Sequence, residues 1–362
     1  MTGLNDMAAF ASSITDVDPG GAVLRYRGVD VEELVGAARF DAVWGLLVDD
    51  SLRPGLDAVA ETPKTIRAGD PLVDLQCSLA ALGPRHGMRY LTDIDDEEAR
   101  RDLALVSSQA FLTAADLARD PTGPPTRPLA GGIVDQFIAM WAGHADPART
   151  KAIEAFLIVF ADNGTSASTL TARVAASTGA SAGSCIAAAV GTLSGPRHGG
   201  ATTDVMAMFK AIQRKGDAKA WISAALDRGQ RIPGFGHAVY RNEDPRARIL
   251  RGIAREQSPT AYELAEEIER AAIGELTSRR PARGLRANAD FWAMVVLEGA
   301  GVPESLVASL LACARMAGWS AHILEQKRVN RLIRPLSAYT GHPPRRLDQV
   351  AGFPPPRSKT QL

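Results

Sequence analysis

An all-α fold is what the sequence predicts, on three observations. Apolar residues recur at three- and four-residue spacing along most of the chain, proline and glycine stand where helices start and stop, and no stretch is strand-rich. The 362 residues, 46% of them hydrophobic, suffice for one large domain or two unequal ones around a buried core.

The elements follow in order. Gly21-Ala22-Val23-Leu24-Arg25-Tyr26-Arg27-Gly28 alternates and ends in glycine, which predicts a short hairpin or extended segment. From Val31 the pattern is helical: Val31, Leu34, Val35 and Ala38 share a face, and Trp44, Leu47 and Val48 continue in the next helix. Asp70-Pro71 marks a helix start, Leu72, Leu75, Leu79 and Leu82 its stripe, and Gly83-Pro84 its stop. Four prolines between Pro121 and Pro128 predict a loop. Ala148 to Phe160 and Ser168 to Leu193 read as helices, the second so rich in Ala, Ser and Gly that neighbours can pack very close. Beyond Gly195-Pro196 come polar-faced helices over Thr202–Lys215, Ala218–Arg228 and Pro259–Ser278, a region that ends near Gly301-Val302-Pro303. Pro303 opens a last helix with Leu306, Leu310, Ala314, Ala317, Ala321 and Leu324 down one side. The Pro/Arg-rich tail after Tyr339 is expected to pack poorly.

Composition excludes several classes of function. Lys+Arg and Asp+Glu balance at 41 each, so no bulk positive field draws nucleic acid or an anionic membrane. An anion site must instead be built locally from a few placed arginines. Three dispersed cysteines, Cys77, Cys185 and Cys313, form no CxxC pair, which argues against a disulfide framework or a cysteine-held metal and suits a reducing cytoplasm. Met1 to Ser13 lacks the basic and apolar blocks of a secretory signal. The Ala/Gly/Ser-rich stretch Ala180 to Leu193 is too short to span a bilayer, and a soluble protein is expected.

Two of the six histidines sit in glycine-punctuated loops: Gly195-Pro196-Arg197-His198-Gly199-Gly200-Ala201 and Pro233-Gly234-Phe235-Gly236-His237-Ala238-Val239-Tyr240. Such loops let backbone approach a ligand and leave the imidazole uncrowded, and a neutral imidazole can donate to a developing oxyanion. One such loop is more simply a capped turn; two in one chain point to function. Asn288-Ala289-Asp290-Phe291-Trp292 sets a carboxylate beside aromatic rings, a setting for a base of raised pKa, although Asp290 also reads as an ordinary helix cap. Arg315 lies mid-helix among small apolar residues and needs a partner, Arg246 follows Asp244-Pro245, and Arg334 precedes Pro335. A small dicarboxylate would suit these three guanidinium forks; internal salt bridges are the competing explanation, above all for Arg246 beside Asp244.

From about residue 20 to residue 340 the chain resembles the citrate synthase family. The resemblance is carried by Leu24-Arg25-Tyr26-Arg27-Gly28, Ser168-Thr169-Leu170-Thr171-Ala172-Arg173, both histidine loops, Asn288 to Phe291, Ala314 to Gln326 and Arg334-Pro335. It implies two helical domains around a cleft: a large one from 1–200 and 304–362, tail included, and a small one from 201–303. It further implies a homodimer with composite sites, no metal and no cofactor, acetyl-CoA being a substrate. The implied activity is condensation of acetyl-CoA with oxaloacetate to citrate, at the head of the tricarboxylic acid cycle. Asp290 would remove the methyl proton, His198 donate to the thioester oxygen and His237 polarise the ketone. Arg246, Arg315 and Arg334 would hold the carboxylates, Arg334 from across the dimer interface. Arg241 and the Gly234-Phe235-Gly236 backbone would contact CoA. Asn163 and Gly164 depart from the family's His-Ala-Asp-His-Glu pattern, which implies a weaker hold on oxaloacetate; Thr202 departs as well. Alternatives are a 2-methylcitrate synthase taking propionyl-CoA and a catalytically weak regulatory relative.

Overall fold

The computed structural model describes residues 10–18, 20–21, 23–56, 62–119, 131–144, 146–199, 201–237, 239–240, 243–279 and 285–352, without the side chains of 201 and 202. The predicted loop from Pro121 to Pro128 lies outside them. The chain divides into two units, Met1–Leu332 and Ile333–Leu362.

The first unit opens on a small antiparallel sheet in the order β1 (Thr15–Val17), β2 (Leu24–Tyr26), β3 (Val29–Asp30), with Thr15 opposite Tyr26 and Arg25 opposite Asp30. The expected hairpin is therefore present, extended by a third strand. Helices follow: α1 (Val31–Leu34), α2 (Phe40–Asp49), α3 (Pro71–Ala80), α4 (Leu82–His86), α5 (Asp96–Ala118), α6 (Ile133–Ala142) and α7 (Pro147–Phe160). Asp70 and Asp146 cap α3 and α7 by accepting the free N–H groups of the first turn, each ahead of a proline that has no N–H to satisfy. Gly83-Pro84 does not end the chain's helical course. Pro84 falls in the first turn of α4, where its missing donor is tolerated, and the stop comes at Gly87, in the left-handed region at φ 64°.

Next come α8 (Ala167–Ser177) and α9 (Ala182–Leu193). The single helix expected over Ser168 to Leu193 is thus two, broken at Gly179 (φ 82°) and restarted after Ser181. The chain continues through α10 (Ala201–Lys215), α11 (Ala218–Asp227), α12 (Pro245–Gln257), α13 (Pro259–Arg279), α14 (Ala289–Gly299) and α15 (Glu304–Val329).

Helix α15 is the axis of the unit. It packs on α2, α3, α5, α7, α8, α9 and α10, and is buried almost without break from Leu306 to Leu324. It is long and apolar enough to cross a membrane, but its apolar surface is covered by these neighbours and belongs to the core. The other fixed point is Tyr26. Its buried hydroxyl donates toward the carbonyls of Ile158 and Asp162, each at 3.0 Å, and accepts the Asp162 N–H at 3.1 Å. That one phenol satisfies the loose end of α7 and pins the turn that follows it. The second unit carries one short 3₁₀ turn, Leu347–Gln349, and an Arg346–Asp348 pair, and is exposed over nearly all its described length.

Candidate active site

His198 ends the loop after α9, and both donors of Ser168, in the first turn of α8, converge on its Nε2: the N–H at 3.4 Å and the hydroxyl at 2.8 Å. Trp319 Nε1–H donates to Ser168 Oγ at 3.2 Å, which frees the hydroxyl hydrogen for the imidazole. Nε2 is thus an acceptor, and the ring proton belongs on Nδ1. Burial, with the Arg315 cation second, pushes the His198 pKa down to about 4, so the ring is a neutral donor at pH 7.

His237 reaches the same state by another route. The N–H groups of Val239 and Tyr240 donate to its Nδ1 at 3.1 and 3.2 Å, so its proton sits on Nε2. Burial first, and Arg246 second, take this pKa to about 4 as well. The Nε2 lies 3.1 Å from Arg246 Nη2, itself a donor. Two N–H groups facing each other repel unless an oxygen accepts from both; the arrangement is built for a carbonyl or carboxylate oxygen.

Asp244 and Asn288 tie these pieces to α14. Asp244 takes Arg246 bidentately at 3.0 and 2.9 Å and accepts the Ala289 N–H at 2.9 Å. Burial opposes its charge, yet Arg246 holds its carboxyl below the usual range. The 234–236 loop pairs with 286–288: Gly236 N–H to Arg286 O and Asn288 N–H to Gly234 O, both 2.8 Å, and Asn288 Nδ2 to Gly236 O at 2.9 Å. Gly234 is required there, since its φ is 80° and a Cβ would come within 2.9 Å of Phe291 Cβ. Asn288, not Asp290, caps α14, so the Asp290 carboxylate is released from the capping role the sequence also allowed. Burial raises its pKa above the usual carboxylate value, against the pull of Arg246.

Arg315 is the common neighbour. Its charge bears on His198, His237 and Asp290 alike, although their positions span 92 residues of sequence, from 198 to 290. It is 5% exposed, and its Nε and Nη1 have no hydrogen-bond partner among the described residues. Asn163 joins through Tyr240, whose hydroxyl donates to Asn163 Oδ1 at 3.0 Å and whose ring stacks on His237 at 4.8 Å. Beside His237, Phe235 and Gly236 a cavity of about 320 Å³ opens, walled by Ile232, Leu276 and Leu285.

The family model for the citrate synthase C-terminal domain matches residues 3–336. The chain belongs to the citrate synthase family. It is 44% identical to "Putative citrate synthase 2" of Mycobacterium tuberculosis, over 97% of this chain and 95% of that one. A 2-methylcitrate synthase of Shewanella oneidensis is 28% identical, with 96% and 97% covered. Among solved structures, the ternary complex of citrate synthase from Thermoplasma acidophilum with carboxymethyl-coenzyme A and oxaloacetate superposes with a TM-score of 0.81, at 27% identity over 95% and 97% of the two chains. As a member of the citrate synthase family the protein is an enzyme of acyl transfer and condensation.

Of the residues singled out from sequence, the structure gathers His198, His237, Asp290, Arg246, Arg315 and Asn163 around one buried site. Gly234, Phe235 and Gly236 border it. Arg246 does form the salt bridge with Asp244, and the same guanidinium still faces His237. Arg241 lies outside the described residues, and Arg334 is an exposed residue of the second unit. Sequence reasoning missed Ser168, Tyr240 and Asp162 as site partners. Only Asp244 and Asn288 carried a local signal, each as a helix cap.

Proposed function

We propose that the enzyme condenses acetyl-CoA with oxaloacetate and water to give citrate and CoA. The observation that carries this is the bare, buried Arg315 guanidinium beside the paired donors of His237 and Arg246, with a carboxylate of raised pKa opposite. A buried guanidinium with open N–H groups is costly, and a keto dicarboxylate supplies both a carboxylate to accept from them and the oxygen that the facing N–H groups of His237 and Arg246 need.

The chemistry follows from the protonation states. Asp290, ionised, takes a proton from the thioester α-carbon, and His198 Nδ1–H donates to the thioester oxygen as negative charge gathers there. The enol carbon attacks the oxaloacetate ketone, whose developing alkoxide is held by the His237 Nε2–H and Arg246 and finally takes up the proton that Asp290 removed from the α-carbon. Water then cleaves the citryl thioester, freeing citrate and CoA. No step calls for a metal or cofactor. CoA is placed along the Gly234–Gly236 backbone and the cavity beside it, with Arg241 as a phosphate contact. We place the protein in the cytoplasm as a homodimer, with 201–303 as the small domain that closes over the substrates and excludes water.

The test is release of CoA thiol by purified protein with oxaloacetate and either acetyl-CoA or propionyl-CoA. Acetyl-CoA is expected to give the higher kcat/KM. A reversed preference would assign the 2-methylcitrate activity of the Shewanella relative, a difference of one methylene worth only about 1–3 kcal/mol in a pocket. No release with either would leave the regulatory alternative.

A further inference from the structure

Beside the site lie two opposite charges that do not bond each other. Asp162 is fully buried, Arg315 nearly so, and each feels the other's field. Yet among the described residues Asp162 Oδ1 makes no hydrogen bond to Arg315, and Arg315 Nε and Nη1 have no hydrogen-bond partner; the Thr15 hydroxyl also faces the Asp162 carboxylate. Unless something restrains it, such a pair closes, because a buried ion pair is stabilised only when its geometry is hydrogen-bonded.

The restraint is on α15, where Arg315, Gly318 and His322 follow at i, i+3 and i+7 along one stripe. Gly318 admits the Asp162 turn between the other two, since a Cβ there would stand 2.3 Å from Asp162 Oδ1. His322 Nε2 lies 3.4 Å from Asp162 Oδ2, which also accepts the Gly164 N–H at 2.9 Å. On its other side His322 Nδ1 is 2.7 Å from Nη1 of Arg173, a permanent donor. Nδ1 therefore accepts, and the ring proton points from Nε2 at Asp162. Arg173, 1% exposed, is itself fixed by Glu325 Oε2 at 2.7 Å, and Glu325 Oε1 accepts the Ser13 N–H at 2.9 Å. The chain Glu325–Arg173–His322–Asp162 runs from the surface to a carboxylate beside Arg315.

We propose that His322 is a positioning residue of the keto-acid site: its Nε2–H holds Asp162 Oδ2 and so keeps Arg315 Nε and Nη1 open for a substrate carboxylate. The proposal rests on Arg315 being an oxaloacetate ligand. Without His322, Asp162 turns onto Arg315, and the substrate must displace an internal carboxylate. Affinity for the keto acid falls, whereas acyl-CoA binding and the chemical step do not. Glutamine can replace His322, since its carbonyl accepts from Arg173 while its amide donates to Asp162; leucine can do neither.

Calorimetric titration with oxaloacetate, steady-state kinetics with both substrates and a crystal structure of His322→Leu test this together. His322→Leu is expected to weaken oxaloacetate about tenfold, the scale of a lost hydrogen bond to a charged group, with kcat and the acetyl-CoA KM unchanged and His322→Gln near wild type. Unchanged oxaloacetate affinity in the leucine variant overturns the proposal and leaves the citrate synthase reading standing. If wild type itself does not bind oxaloacetate, that reading fails alone, and the crystal structure decides: Asp162 bonded to Arg315 supports the role of His322, and Asp162 unmoved refutes it. Should the leucine variant not fold, Glu325→Gln loosens Arg173 from the half-buried end and is read by the same measurements. About threefold weaker binding is expected from it, and no change counts against the proposal.

Discussion

The Tyr240 hydroxyl occupies Asn163 Oδ1, so what Asn163 has left to offer a ligand is its amide N–H pair, a neutral donor. A histidine at this position could accept from Tyr240 on one ring nitrogen and donate from the other. Facing a dianion it would gain a proton on the nitrogen toward Tyr240, whose hydroxyl then accepts, and a charge-assisted bond to the ligand is roughly twice as strong as a neutral one. Asn163→His is therefore expected to lower the oxaloacetate KM about three- to tenfold with kcat little changed; an unchanged or higher KM would show that Asn163 does not touch the keto acid. The same residues mark how far sequence reaches at this scale. His198 and His237 were legible because glycines flank them, and Arg315 because a guanidinium among Ala, Cys and Met demands a partner. The groups that set their protonation were not legible. Ser168 stands 30 residues from His198, and His322 160 residues from Asp162, so no local spacing announces either pairing.

The helix start at Asp70-Pro71 was read because capping is local chemistry; Asp146-Pro147 and Asp244-Pro245 carry the same signal, yet the helix after Asp244 was not read. Helix α5 was not read although Asp95 caps it: from Val106 to Ala115 every residue is buried, and that half has no polar face to reveal its period. The break between α8 and α9 was masked by their shared Ala/Ser/Gly composition. Two element contacts carry predictions. At Gly318, α15 presses on the 161–162 turn so closely that a Cβ would meet Ala161 O at 2.6 Å as well as Asp162. Gly318→Ala is expected to cost about 1–3 kcal/mol in chemical denaturation despite alanine's better helix propensity; a neutral or stabilised variant would mean that the turn can yield. Glu154 of α7 caps α2 from outside by accepting the Phe40 N–H, where Arg39 supplies no side-chain cap. Burial raises its pKa from 4.5 to about 7. The folded state then binds more protons than the unfolded state between pH 4.5 and 7, so this group's contribution is full below 4.5 and is lost as pH rises through 7. Glu154→Gln should erase that loss, on the order of 3 kcal/mol. Urea midpoints of wild type and variant at pH 5 and pH 8 read the difference, and equal wild-type-minus-variant gaps at both pH values would exclude it.

At the scale of the whole molecule the question is whether one chain completes the site. Oxaloacetate brings two carboxylates. In the described site Arg246 is already neutralised by Asp244, which leaves Arg315 as the bare cation among the described residues there. A second carboxylate calls for another guanidinium, and Arg334, exposed in the second unit, is the residue proposed to supply it across a homodimer. Complementation distinguishes a shared site from a self-contained one. Arg334→Ala and Asp290→Ala should each be nearly inactive, the first through oxaloacetate binding and the second through loss of the base. In a mixed dimer the subunit with Asp290 intact meets the Arg334 of the other, so one of its two sites is whole and the other lacks both groups. Random exchange makes half of all dimers mixed, and about a quarter of wild-type activity should return when equal amounts are unfolded and refolded together. If mixed dimers form, as a size tag on one variant would reveal, and no activity returns, Arg334 serves its own subunit, and the second carboxylate is met within one chain.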